Sequence, residues 1–103
     1  MNESEIESSI LQYLRFNGVM CWKDRQYAKK PTKGSLRSQN GTPDIIGILS
    51  DGKFLGIEVK KPGGKLSDEQ KGFLERSYDL GAQTFVAYSL QDVINYFDKR
   101  GSF

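Results

Sequence analysis

Apolar and polar positions repeat along this chain with two periods, and each change of period marks a new element. Over residues 3–17 the period is helical: at ~100° per residue Ile6, Ile10, Tyr13 and Leu14 share one face, and Gly18 supplies a stop. Val19 to about Lys23 is short and rich in bulky side chains, which predicts a first strand. From Arg25 to Asn40 periodicity vanishes, and the segment reads as a flexible basic arm, long for a domain of this size. Asp44 to Leu49 and Lys53 to Lys61 are the second and third strands, joined by a hairpin at Asp51-Gly52. Pro62-Gly63-Gly64 breaks the third strand. Ser67 then starts a helix through about Leu80, with Gln70 at capping-box spacing and Gly81 placed to end it. Gln83 to Tyr88 is a fourth strand, and Ser89 caps a last helix carrying Val93, Ile94, Tyr96 and Phe97. The order α-β-β-β-α-β-α predicts an α/β domain with a mixed sheet flanked by helices.

Composition narrows the class. The 103 residues suffice for one domain with one modest core and exclude a separate specificity domain. Hydrophobic residues make up 37% and aromatics 12%, as expected of a folded domain. No apolar run approaches the roughly 20 residues that span a bilayer, and the charged amino terminus lacks a signal-peptide core, so a soluble, cytoplasmic protein without a membrane partner is expected. Cys21 is the only cysteine, which excludes an intrachain disulfide and a thiolate cluster; among Val19, Met20 and Trp22 it reads as a buried thiol. Histidine is absent, which removes Ser-His and Cys-His catalysis and the common zinc sites. Carboxylate, lysine and a hard, oxygen-loving metal remain for hydrolysis.

Charge is uneven. The net value is +2, but residues 23–39 hold Lys23, Arg25, Lys29, Lys30, Lys33 and Arg37 against Asp24 alone, a local +5 that leaves −3 elsewhere. A basic segment on a nearly neutral body suits a polyanion, whereas a charge run without context is more often a solvated loop. Lys29, Lys30, Lys33 and Arg37, with Lys61 and Lys65 beside the glycine pair, are the candidate DNA contacts.

The candidate chemistry lies between Gly41 and Lys60. Side chains alternate along a strand, so Leu55, Ile57 and Val59 share an apolar side while Phe54, Gly56, Glu58 and Lys60 share the other. An isolated Glu-x-Lys is usually the solvent side of a half-exposed strand, but Gly56 inside it marks close approach of another group. Asp44 joins Glu58 only in one register. A plain two-residue turn pairs Ser50 with Lys53 and puts Asp44 on the wrong face, whereas a three-residue loop with Gly52 left-handed places Asp44 opposite Glu58. Two carboxylates and a nearby carbonyl meet the needs of Mg²⁺, and Lys60 on the same side could orient or deprotonate a water or stabilise phosphate charge. Glu3 falls within the apolar face of the first helix and Glu7 on its flank; Glu3 could reach the metal through a water, or could be a first-turn acid favoured by the helix dipole.

Thr42-Pro43-Asp44, the spacer to Gly56, Ile57-Glu58-Val59-Lys60, the following Lys61-Pro62-Gly63-Gly64-Lys65-Leu66-Ser67 and Gln70 together resemble the VRR-NUC family of the PD-(D/E)XK nuclease superfamily. The resemblance implies a restriction-endonuclease-like fold in which Asp44, Glu58 and the Val59 carbonyl bind Mg²⁺ or Mn²⁺ and Lys60 serves catalysis. It implies that Glu3, better than Glu7, matches the helix-borne acid, and that Gln70 contacts substrate or the catalytic lysine, beside its capping-box reading. The short length is similar to free-standing, virus-type members, some of which act as homodimers on four-way (Holliday) junctions. That implies a structure-selective DNA endonuclease in a phage-infected or prophage-bearing host. The alternatives are a non-catalytic nucleic-acid-binding module, whose binding would weaken steeply with salt and need no metal, and a nuclease subunit of a larger complex.

Overall fold

The computed structural model describes residues 1–24 and 41–103. The expected basic arm, with Lys29, Lys30, Lys33 and Arg37, lies outside the described residues. The elements are α1 (Glu3–Phe16), β1 (Met20–Lys23), β2 (Ile45–Ile48), β3 (Phe54–Val59), α2 (Asp68–Asp79), β4 (Gln83–Ala87) and α3 (Leu90–Arg100), in the expected order. Among the described residues the sheet has four strands in the order β1-β2-β3-β4. The first three form an antiparallel meander, and α2 is the crossover that returns β4 parallel to β3.

Each helix begins where a side chain can satisfy its free amide groups. Asn2 caps α1, its Oδ1 accepting from the Glu5 amide at 2.8 Å, a capping box that Asn-Ser-Glu spacing had not suggested. Ser67 caps α2 and Ser89 caps α3. At the far ends, Val19 donates to the Leu14 carbonyl and Ala82 to the Ser77 carbonyl, closing the helices just past Gly18 and Gly81.

The alternation read from β3 appears as packing. Leu55, Ile57 and Val59 are buried in one cluster with Ile6, Ile10 and Leu14 of α1 and with Val93 and Phe97 of α3. Cys21 joins that cluster as a free thiol, and burial raises its pKa. On the opposite side β3 carries Phe54, Gly56 and Glu58, and α2 reaches this side through Gln70 and through a hydrogen bond from Thr84 to the Leu74 carbonyl. Among the described residues no side chain of α2 is fully buried, so this helix is held by caps and edge contacts rather than by a core stripe.

The hairpin adopts the longer loop. Ile45 pairs with Ile57 and Ile48 with Phe54. Leu49 donates to the Lys53 carbonyl at 3.0 Å and Gly52 to the Leu49 carbonyl at 2.8 Å, so the loop is Ser50-Asp51-Gly52. Gly52 is left-handed, with φ +85°. Continued one step, this register sets Asp44 opposite Glu58. Both strands are shorter than the sequence suggests, since Asp44 and Lys60 flank the regular pairing instead of belonging to it. Pro43, which has no amide hydrogen, precedes the first, and Pro62 follows closely on the second.

Gly56 marks a close approach, as expected. A Cβ there would lie 2.8 Å from Cγ of Pro43 and 3.0 Å from Cγ2 of Thr84, so the absence of a side chain lets Pro43 lie flat on the sheet beside Asp44. Two alanine substitutions should therefore act differently. Gly52→Ala meets nothing within 4 Å among the described residues, and its cost is conformational, about 1–2 kcal/mol in urea unfolding. Gly56→Ala overpacks, costing about 1–3 kcal/mol, and should also shift the Asp44 backbone resonances.

Candidate active site

Glu58 stands at the carboxyl end of the central strand with 2% of its surface exposed. Burying a carboxylate costs free energy unless partners replace water. Gln70 Nε2 donates to Oε1 at 2.9 Å, and Lys60 Nζ lies 3.9 Å from the same oxygen, too far for a direct hydrogen bond. The Asp44 carboxylate faces Glu58. Two carboxylates can share a hydrogen bond only through a proton; with both ionised, Glu58 Oε2 finds no donor among the described residues. Burial first and the Asp44 charge second push the Glu58 pKa up to about 8.

Asp44 is fixed by the backbone it follows. Its Oδ2 accepts from the Val59 amide at 2.8 Å, and its carbonyl accepts from the Asp24 amide at 2.7 Å. The chain leading into it is pressed on α2: a Cβ on Gly41 would fall 2.2 Å from the Glu69 carbonyl oxygen. The turn that delivers Asp44 and the helix that delivers Gln70 are thereby locked together.

Gln70 takes the capping-box role that its spacing suggested, and its second contact is with Glu58, a partner the sequence reading did not name. Its Oε1 accepts from the Ser67 amide at 2.9 Å and its amide donates to Ser67 Oγ at 3.1 Å, completing the capping box, while Nε2 reaches Glu58. The two neighbours fix the orientation of the side-chain amide, because a flip would turn its NH₂ toward an N–H.

Helix α1 contributes two acids. Glu7 is 8% exposed, one turn deeper than the half-buried Glu3. Lys23 Nζ of β1 lies 3.4 Å from Glu7 Oε1, an ion pair longer than a tight charge-assisted hydrogen bond. Burial, then the neighbouring Asp44 and Glu3 charges, raises the Glu7 pKa against the lowering effect of Lys23. Glu3 also contributes to the potential at Glu58. Sequence reading passed over Lys23 as an active-site neighbour, although alternation along β1 puts it on the side of Cys21, toward α1. Lys61 and Lys65 are exposed on the loop between β3 and α2. Among the described residues no group of three or more His, Cys, Asp or Glu side chains is clustered tightly enough to hold a metal, which leaves Asp44 and Glu58 as the acid pair.

A family model described as the VRR-NUC domain matches residues 3–91. The chain belongs to the VRR-NUC family. It thus has a fold shared by nuclease domains, and the match takes in both acids of the pair, Lys60 and Gln70. Of two similar solved structures, one, a VRR_NUC domain, is 26% identical with a TM-score of 0.70 and covers 93% of this chain and 94% of its own. The other, a VRR_NUC domain protein, is 21% identical with a TM-score of 0.70 and covers 96% of this chain and 87% of its own. Comparison with curated proteins found no match. Among the described residues of this VRR-NUC chain no helix is long and apolar enough to cross a membrane.

The raised pKa of Glu58 carries a pH signature with a defined sign. The folded state holds a proton on Glu58 that the unfolded chain releases above its ordinary value of 4.5, so this contribution to stability is full below that value and is lost as pH rises to about 8. In metal-free buffer the wild type should therefore lose stability relative to Glu58→Gln over that interval, by at most about 1.4 kcal/mol per pH unit, in denaturant titrations at matched pH values.

Proposed function

We propose that this VRR-NUC chain is a divalent-metal-dependent, structure-selective DNA endonuclease that hydrolyses phosphodiester bonds, acting as a homodimer on branched DNA such as four-way junctions. The observation that carries the reading is the orphaned Oε2 of buried Glu58 beside the Asp44 carboxylate. Such a pair is unfavourable when ionised and empty, and a hard cation relieves the repulsion as a proton does. The donors fit Mg²⁺ or Mn²⁺, which take oxygen ligands and need only one or two carboxylates besides water and phosphate oxygens. Asp44, Glu58 and the Val59 carbonyl would hold the ion, which when bound would supply Lewis-acid stabilisation of phosphate charge.

The chain's own residues supply the rest. Lys60, half-buried next to Glu58, orients the attacking water and balances charge developing on the phosphate. Gln70 holds Oε1 of Glu58, which leaves Oε2 available as a ligand. Glu3 and Glu7 add negative potential on the α1 side, and Glu3 would act on a bound ion through water. Lys61 and Lys65, with Lys29, Lys30, Lys33 and Arg37, contact phosphates and hold the substrate without reading its sequence. A domain this small has little surface for base readout, so substrate shape determines choice, and a twofold pair of sites suits paired cuts across a symmetric junction. The reading places this work on intracellular DNA, in the cytoplasm of a phage-infected or prophage-bearing host.

Labelled four-way junction, flap, splayed and linear duplex DNA incubated with Mg²⁺, Mn²⁺ or EDTA should show cleavage of branched substrates only with metal. Asp44→Ala, Glu58→Ala and Lys60→Ala should each reduce it at least about 100-fold while binding persists. Salt-sensitive binding with no cleavage by the wild type in either metal would instead identify a non-catalytic binding module. Sedimentation of the protein with and without junction DNA tests the homodimer.

Gln70 separates two effects of one residue. Gln70→Glu keeps an oxygen for the Ser67 amide but removes the donor to Glu58 and adds a like charge; Gln70→Ala loses both contacts. Gln70→Glu should therefore retain helix stability within about 1 kcal/mol in metal-free buffer at low pH, yet cleave about 10-fold or more slowly at neutral pH. Equal activity of Gln70→Glu and wild type would remove Gln70 from the positioning of Glu58.

A further inference from the structure

We propose that a cavity of about 320 Å³, walled by Met1, by Ile6 and Ser9 of α1, by the segment that opens α3 and by Pro62, seats an unpaired nucleobase of the substrate strand. The inference rests on the nuclease reading for its substrate but on separate residues for its geometry.

Position comes first. The cavity lies just past the carboxyl ends of β3 and β4, the parallel pair, since Pro62 and Tyr88 line it. Lys60 donates its amide to the Ala87 carbonyl at 3.0 Å, and Tyr88 of the wall is the next residue. Pro62 of the wall follows Lys60 and Lys61 directly. On the α1 side the wall includes Ile6, which stands between Glu3 and Glu7. The segments that carry the candidate active-site residues thus continue into the cavity wall.

The lining chemistry suits a base and does not suit a phosphate. Met1, Ile6, Pro62, Tyr88 and Leu90 offer apolar and aromatic surface, and among the described residues no charged side chain lines the cavity, the amino group of Met1 being the one charge on a lining residue. Tyr88 is 37% exposed, which leaves ring surface available for stacking. Besides the Tyr88 phenol, the lining side chains carry two serine hydroxyls, each with one function already used. Ser9 Oγ donates to the Ile6 carbonyl at 2.7 Å and keeps its lone pairs; Ser89 Oγ accepts from the Asp92 amide at 3.2 Å and keeps its proton. A free acceptor and a free donor facing an apolar slot match the edge of a base. The cations Lys60 and Lys61 lie outside, before Pro62, where the strand's phosphates would run. A nucleotide divides in the same way, into an anionic backbone and a neutral, flat, partly polar base. The volume is at the lower end for ligand sites and suffices for a single base. Only a strand that can present an unpaired base would fill it, so the cavity gives the site a means of preferring branched or frayed DNA to intact duplex.

The test reads binding without cleavage. Full-length protein in EDTA is titrated into four-way junction and splayed DNA carrying 2-aminopurine singly at successive positions around the branch. With the wild type, fluorescence should change at one position. Tyr88→Ala should remove that change and weaken binding at least about fivefold, while Tyr88→Phe should preserve both. An abasic nucleotide at the same position should weaken the wild type comparably and leave Tyr88→Ala unaffected. Binding by the wild type without a position-specific signal, an equal signal from Tyr88→Ala, or indifference to the abasic nucleotide would each overturn the proposal. A wild type that cleaves with metal but lacks the signal overturns the cavity alone. One that gives the signal but never cleaves overturns the nuclease reading and supports the cavity, and failure to bind any DNA overturns both.

Discussion

Two carboxylates brought together at the end of a central strand, one of them shut off from water, set the terms for the rest of this domain. A buried Glu58 beside Asp44 disfavours its own ionised form, through lost hydration and through the neighbouring charge, and Gln70 and Lys60 offset only part of that. A structure that served stability alone would place an apolar side chain here, as β3 does at Leu55, Ile57 and Val59. The acid pair persists because the surrounding contacts over-determine it: Pro43 lies on Gly56, Gly41 lies on the first turn of α2, and the Asp44 carboxylate is tied to the Val59 amide. None of these contacts is large, yet each removes a way for the two acids to move apart.

The same constraint explains the distribution of order at the far end of the hairpin. Register between β2 and β3 decides whether Asp44 meets Glu58, and a slip of one residue would turn every side chain of β2 to the other face. The loop that sets this register is gripped from outside by the carboxyl-terminal segment: Arg100 pairs with Asp51 at 2.7 Å, and the Ser50 amide donates to the Phe103 carbonyl at 2.8 Å. Phe103 is itself stacked on Phe97, with ring centroids 4.7 Å apart, so the grip is anchored in the core. Residues at the chain's end thus support a register read out at the opposite end of the sheet.

Much of this was legible in the sequence because it follows from local rules. The order of elements came from period and breakers, and the loop conformation from the requirement that Asp44 face Glu58, with Gly52 the residue able to supply it. Where reading fell short, tertiary contacts decided. Gln70 could be read as a cap or as a partner of the site; spacing along the helix could not reveal that its two amide atoms serve one role each. The ends of β2 and β3 were overextended because alternation continues through Asp44 and Lys60, whereas pairing stops beside the prolines. Lys23 was counted only as part of a basic segment, since its partner, Glu7, is distant in sequence and faces it only after α1 packs on β1. The segment that supplied the strongest charge signal, with Lys29, Lys30, Lys33 and Arg37, lies outside the described residues, and its assignment to phosphate contacts rests on composition.

The choice between Glu3 and Glu7 as the helix-borne acid takes a different form once burial is known. A helical wheel asks which acid points at the core, and by that measure the two differ by one turn on nearly the same face. In the fold they act on different members of the pair: the Glu3 charge makes the potential at Glu58 more negative, while Glu7 and Asp44 repel one another. Glu7 carries its own counter-ion, Lys23, whose side chain is 55% exposed and whose 3.4 Å contact is loose. Turning that lysine to a phosphate would leave the buried Glu7 carboxylate without its counter-ion, so the move requires Glu7 to take up a proton or another cation. Glu3 forms no ion pair among the described residues and stands nearer solvent, where water can bridge it to the site. The first helix therefore carries two acids one turn apart in different surroundings, a half-buried one on the Glu58 side and a buried one paired with Lys23 on the Asp44 side.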